Sequence, residues 1–281
     1  MATLGERLRF HYGASLDLLA MPLNRFFDEE VGAPYGVRRR QKLLFVYRAR
    51  RAQRAIPTAS TYLEHVAMAA SILRVPPSEA GVVVECGCFK GGSTASLSLA
   101  CRLAGRRLLV FDSFAGLPEP AEGDAIHFVP ADRMRRGYHQ GAFSATLEEV
   151  RRNVGRYGAP DVCEFRPGFF EDTLPDLSEP CVFAFVDVDL TTSLQTCVEA
   201  IWPRLGDGCE IWTHEAHHAE IAALFFDDAW WSGTLGASSS PGLIGAGSGL
   251  RLSTHLPTPI GYAVKNPGVG RLIEQEWGAP A

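Results

Sequence analysis

The residues Val82-Val83-Val84-Glu85-Cys86-Gly87-Cys88-Phe89-Lys90-Gly91-Gly92-Ser93 decide the fold. An apolar run, glycines at its end and a small-residue segment through Ala104 predict a buried strand, a tight turn and a helix. The rhythm repeats downstream. Further strands are expected over residues 107–112, 162–166, 181–186 and 208–213. Helices are expected over 145–157, 191–204 and 216–230. Strands alternating with helices predict an α/β fold, a mostly parallel sheet covered on both faces. Segments 250–254 and 261–265 are expected to end it as an antiparallel hairpin.

Upstream of this unit, residues 1–80 form an expected N-terminal helical lid or extension, leaving 81–281 as one structural unit. Within it, 58–74 is expected as a helix capped by Thr58 or Ser60, with Leu63, Val66, Ala70 and Leu73 on one side. Pro76 and Pro77 end it. Residues 38–54 carry eight basic residues and no acidic one. They read as a solvated helix face around a Leu43–Tyr47 core stripe, or as a surface for an anionic ligand. The Ser- and Gly-rich stretch 232–249 predicts a long loop, a kind that often covers active sites.

The 281 residues suit one enlarged domain, and 46% hydrophobic with 21% charged residues excludes a disordered or collagen-like chain. With 27 basic and 32 acidic residues the net charge is −5, which argues against a nucleic-acid partner. Seven cysteines without a C-x-x-C pair predict buried free thiols and a reducing, cytoplasmic setting. No apolar run approaches a membrane span, and the N-terminus lacks the apolar core of a signal peptide. A soluble protein is expected.

Chemistry concentrates at the predicted strand ends. In the first turn, Glu85 can pair with a cationic group while the helix start at Gly92–Thr94 favours an anionic one. Together they suit an amino-acid moiety; the plainer reading is a tight turn with a solvent-facing Glu85. The second strand ends in Asp112, 25 residues after Gly87, where a carboxylate can accept ribose hydroxyls. The alternative is a cap formed by Asp112 or Ser113. Asp187 and Asp189 follow the fourth strand and suit a metal ligand plus a general base. If the strand breaks there, their directions diverge. His214-Glu215-Ala216-His217-His218 matches H-E-x-x-H, but it follows a strand directly, whereas zinc proteases place the motif inside a helix. His214 and Glu215 can instead meet Asp187 above the sheet.

At these residues the chain resembles the macrocin O-methyltransferase (TylF-like) family of class I S-adenosylmethionine-dependent methyltransferases. The matching segments are 82–93, 110–120, 143–158, 166–177 and 183–208, in order over roughly residues 81–215. The resemblance implies a Rossmann-like class I fold and S-adenosylmethionine as cofactor. Glu85, Gly87, Gly91 and Ser93 would line its methionine end. Asp112, with Ser113 beside it, would hold the ribose, and Gly168, Phe169 and Phe170 would lie near the adenine. Asp187 would border the cofactor and bind Mg²⁺, with Asp189 as base.

One departure stands out. The family completes its metal site with two consecutive Asp residues, and His214 and Glu215 stand there. A site of Asp187, His214 and Glu215 shifts preference from Mg²⁺ toward transition metals. Otherwise the metal is absent and His214 serves as base. The expected function is O-methylation of a small-molecule acceptor, a natural-product or sugar hydroxyl in antibiotic biosynthesis. The competing readings are a zinc hydrolase using His214, Glu215 and His218, and a non-catalytic cofactor-binding protein. Neither nucleic acid nor membrane is an expected partner, and a homo-oligomer is compatible with the sequence.

Overall fold

The computed structural model describes residues 22–124, 138–250, 252 and 258–266. Six strands form one sheet: β1 (Val82–Cys86), β2 (Leu108–Asp112), β3 (Cys163–Pro167), β4 (Cys181–Val186), β5 (Leu205–Thr213) and β6 (Gly261–Val264). Their order is β3-β2-β1-β4-β5-β6. The first five are parallel, and β6 runs antiparallel to β5. The sheet thus ends in an antiparallel pair, whose second member is β5. Residues 251, 253 and 254 of the expected 250–254 strand lie outside the described residues; Leu250 donates its N–H to Ile260 O.

The helices are α1 (Arg39–Ala55), α2 (Tyr62–Arg74), α3 (Gly92–Ala104), α4 (Leu147–Tyr157), α5 (Phe170–Thr173), α6 (Thr191–Ile201), α7 (Ala219–Leu224) and α8 (Asp228–Leu235). Strands β1 and β4 are buried throughout, as continuous Val, Phe and Ala runs require of a sheet covered on both faces. Each such side chain contributes about 1.5–3 kcal/mol on burial.

The segment before β1 is built into this core. Helix α2 is buried from Glu64 to Leu73 and shares one apolar cluster with the sheet. Arg106, two residues before β2, fastens the segment by donating to the carbonyls of Pro76 and Glu79 and to the Tyr35 hydroxyl. The cap of α2 is Thr61, not Thr58 or Ser60: Thr61 and Glu64 form a reciprocal capping box. The expected Leu43–Tyr47 stripe is also corrected. Phe45, Ala49 and Ala52 face the core, while Leu43, Leu44 and Tyr47 are more than half exposed.

The expected helix over 216–230 is two short helices, α7 and α8. No residue of the 232–249 stretch lines the cavity described below. Gly247 donates its N–H to Ala216 O, so the loop braces the segment following β5. No helix among the described residues is long and apolar enough to cross a membrane. All seven cysteines are free thiols, and six are buried.

Candidate active site

The strand order reverses between β1 and β4, which opens a crevice beyond their C-terminal ends. Backbone packing there is tight. Asp187 donates its N–H to Cys86 O at 2.9 Å, and Gly87 has φ +80°. A Cβ on Gly87 would lie 1.9 Å from the Asp187 carbonyl oxygen, so no larger residue fits. A cavity of about 420 Å³ rises above this seam.

Of the residues expected from sequence, Gly87, Ser93, Asp112, Ser113, Phe169, Phe170, Asp187, Asp189, His214 and Glu215 line this cavity. Asp112 accepts N–H bonds from Cys88 and Phe114, both at 2.7 Å, so its carboxylate is held rigid at the rim.

Three residues expected against the cofactor, Glu85, Gly91 and Gly168, are not among those lining the cavity. Glu85 is fully buried beneath the wall, where Ser93 Oγ donates to it at 2.5 Å. Burial pushes its carboxyl up to about 8, so it is neither solvent-facing nor an anion at neutral pH. Gly91 turns the chain into α3 and faces Val150 of α4. Gly168 faces Thr173. Phe169, next to Gly168, lines the cavity, and so do Gly87 and Ser93, two residues beyond Glu85 and Gly91.

Asp187, His214 and Glu215 offer ligand atoms within 4.8 Å of one another. His214 Nδ1 lies 3.6 Å from Asp187 Oδ1 and 3.3 Å from Glu215 Oε1. Strand β4 ends at Val186, and Asp189 takes a left-handed φ of +62°. This break turns the two aspartates apart. An Asp tolerates that conformation better than most residues, and such strain gathers at functional sites.

The electrostatics follow from burial and crowding. Withdrawal from water pushes Asp187 up to about 7, with Glu215 adding to the rise and His214 opposing it. Asp189 is also raised to about 7, by burial and then by the charge of Asp187. Burial pushes His214 down, but Asp187 and Glu215 outweigh it and raise the imidazole to about 10. The two carboxylates thus favour the imidazolium form when no cation is present.

The H-E-x-x-H segment is not helical. Residues 214–218 form a turn, and His218 lies outside the group that could hold a metal. His217 and His218 instead line the cavity with ring centroids 4.1 Å apart. Burial lowers both, His218 to about 4, so both are neutral.

Several lining residues were not marked as site residues by the sequence. Pro57, Thr58 and Ala59 come from the turn before α2, and Tyr138, Phe89 and Phe143 form an aromatic wall. The Phe143 ring packs against both others at 6.2 Å. Glu64 lies close enough for its charge to act on His214; its T-x-x-E spacing after Thr61 is the one signal that could have found it, and that reads as a helix cap.

A family model for macrocin-O-methyltransferase (TylF) matches residues 63–223. A tetracenomycin-C rhamnosyl 4'-O-methyltransferase from Streptomyces olivaceus is 38% identical over 133 residues, covering 46% of this chain and 50% of that protein. The chain therefore aligns with half the length of that relative. Mycinamicin III 3''-O-methyltransferase from Micromonospora griseorubida is 27% identical over 208 residues, covering 69% and 79%. Among solved structures, the O-methyltransferase NovP is similar at TM-score 0.57 and 20% identity, covering 74% of this chain and 83% of that one. The calicheamicin methyltransferase CalS11 gives 0.51 and 17%, covering 81% and 94%. These two likenesses bear on the fold alone, and they agree with the strand order above. A family match across more than half of the chain, running from α2 through β5 into α7, establishes that the chain belongs to the TylF macrocin-O-methyltransferase family.

Proposed function

We propose that this chain transfers the methyl group of S-adenosylmethionine to a hydroxyl oxygen of a small molecule, a natural product or its sugar. One observation carries the reading. Asp112 beside the Gly87 turn and the acidic cluster of Asp187, Asp189 and Glu215 with His214 face the same cavity. A nucleoside site and a proton-accepting site thus share one space.

S-adenosylmethionine supplies an activated methyl on a positive sulfur. The acceptor oxygen attacks that carbon, the carbon–sulfur bond breaks, and S-adenosylhomocysteine leaves. The protein aligns the oxygen and removes its proton. Asp189 takes that proton in this reading, because a carboxylate held near 7 suits a base at neutral pH. Phe169 and Phe170 offer rings for the adenine. Tyr138, His217 and His218 form the acceptor side. The turn 57–59 supports a role for the segment before β1 as a cover.

The donor set fits a divalent cation. Two carboxylates and one imidazole converge in a largely buried space, with further acids at 189 and 64 nearby. Asp187, His214 and Glu215 would hold it, and it would lower the acceptor hydroxyl's pKa. Free thiols and the absence of a spanning helix among the described residues suit a cytoplasmic enzyme.

The test is incubation with S-adenosylmethionine and a panel of glycosylated natural products, read by mass spectrometry. A product heavier by one methylene unit, with stoichiometric S-adenosylhomocysteine, is expected. Cofactor binding with no methylated product from any hydroxyl acceptor would favour a non-catalytic protein.

A further inference from the structure

Glu64 stands on the first turn of α2, outside the segments that carry the cofactor motifs, and is completely buried. One carboxylate oxygen, Oε2, accepts the Thr61 N–H and closes the capping box. The other, Oε1, is buried with no hydrogen-bond partner. His214 shows the complementary feature. Its Nδ1 faces Asp187 and Glu215, while its Nε2 is buried without a partner. Each group lies within reach of the other's charge. Helix capping does not require a carboxylate here, since Gln serves equally at that position. A buried acid with a spare oxygen therefore asks for a second role.

We infer that Glu64 is the positioning residue of His214: its Oε1 accepts the Nε2–H through one bridging water and thereby reserves Nδ1 for the Asp187–Glu215 cluster. Histidines that ligate metals usually donate their second ring N–H to such a carboxylate, which fixes tautomer and ring orientation. The helix start that carries Glu64 is itself held firm. His65, the next residue, is bonded through both ring nitrogens, to Ser60 Oγ at 2.8 Å and Ser96 Oγ at 2.9 Å. The inference rests on the reading of His214 as part of the active centre.

The test uses histidine-¹⁵N-labelled full-length protein, with the His214 signals assigned by their loss in His214→Gln. Wild type should show a slowly exchanging Nε2–H, both metal-free and with Zn²⁺ alone. Glu64→Gln retains the cap but presents an amide N–H to Nε2. It should speed solvent exchange of the Nε2–H and weaken Zn²⁺ binding by about 10–100-fold, as loss of such a carboxylate does elsewhere. Glu64→Asp should restore part of both. Affinity for S-adenosylhomocysteine should stay unchanged, which separates this inference from the methyltransferase reading. An unprotonated Nε2 in wild type overturns the proposal, even if the Glu64→Gln protein fails to fold. Identical His214 signals and Zn²⁺ affinity in folded Glu64→Gln overturn it equally.

Discussion

Oδ1 of Asp187 lies 3.6 Å from Nδ1 of His214 across the seam between β4 and β5. The strand register sets this closeness. Val186 pairs with Thr213, so the residue following each strand emerges at the same height above the sheet. Glu215 joins them because Thr213 Oγ1 donates to its Oε2 at 3.4 Å. The cluster is thus a consequence of backbone pairing, and predictions about its chemistry also concern folding.

Stability should fall as pH rises. Asp187 and Asp189 are raised to about 7 and Glu85 to about 8, chiefly by burial. Each acid binds its proton more tightly folded than unfolded. The associated stability is fully present below the ordinary carboxylate range and is lost as pH rises through 7 to 8. His214 acts in the same sense: its raised value gives stability that is complete below about 6.5 and is lost toward 10. Urea-unfolding midpoints without added metal should therefore decrease from about pH 5.5 to about pH 8.5. A midpoint that rises over that range would contradict the burial assigned to these groups.

Asp189→Asn should remove the base and keep the fold. Turnover is expected to drop by about 10²–10⁴-fold, as for loss of a general base, with cofactor affinity nearly unchanged. In wild type the turnover should rise with pH through about 7, where Asp189 ionises. An Asp189→Asn enzyme at full rate would remove this carboxylate from the mechanism.

The donor set predicts a metal preference. Mn²⁺, Fe²⁺, Ni²⁺ or Zn²⁺ should support activity at lower concentration than Mg²⁺, and EDTA should abolish it. His214→Asp replaces nitrogen by oxygen and should shift the preference toward Mg²⁺. Metal titrations of both proteins check this. Activity that survives exhaustive chelation would leave the cluster a metal-free one.

Gly87→Ala should damage the fold as well as the site. The added carbon meets the Asp187 carbonyl at 1.9 Å in a left-handed backbone. A loss of about 2 kcal/mol or more is expected in urea unfolding, the scale of backbone strain with a clash added. Unchanged stability would mean that β1 and β4 are not packed at this seam.

The legibility of these features follows their range in the chain. Buried strands were readable because parallel sheets need continuous apolar runs, as in residues 181–186. The cavity residues at strand ends were readable for the same reason: strand ends mark the crevice. Features set by distant packing were not. Glu85 follows valines in a strand, and nothing local says that Ser93 will seal it from water. The apolar face of α1 was misplaced because Leu43, Leu44 and Tyr47 are as hydrophobic as Phe45 and Ala49, which with Ala52 meet the core. Glu64 drew no notice in the sequence; it completes the cap of α2, and its second oxygen acquires meaning only where β5 delivers His214.

The central claim is that one cavity binds the methyl donor through Asp112 and sets its methyl beside the acidic cluster. The most direct measurement is calorimetric titration of the protein with S-adenosylhomocysteine, in wild type and in Asp112→Ala. Saturable one-to-one binding is expected in wild type, weakened by about 1.5–3 kcal/mol in the variant, the scale of hydrogen bonds to a charged group. A wild-type protein that binds no S-adenosylhomocysteine, or a folded Asp112→Ala protein with wild-type affinity, would contradict the account.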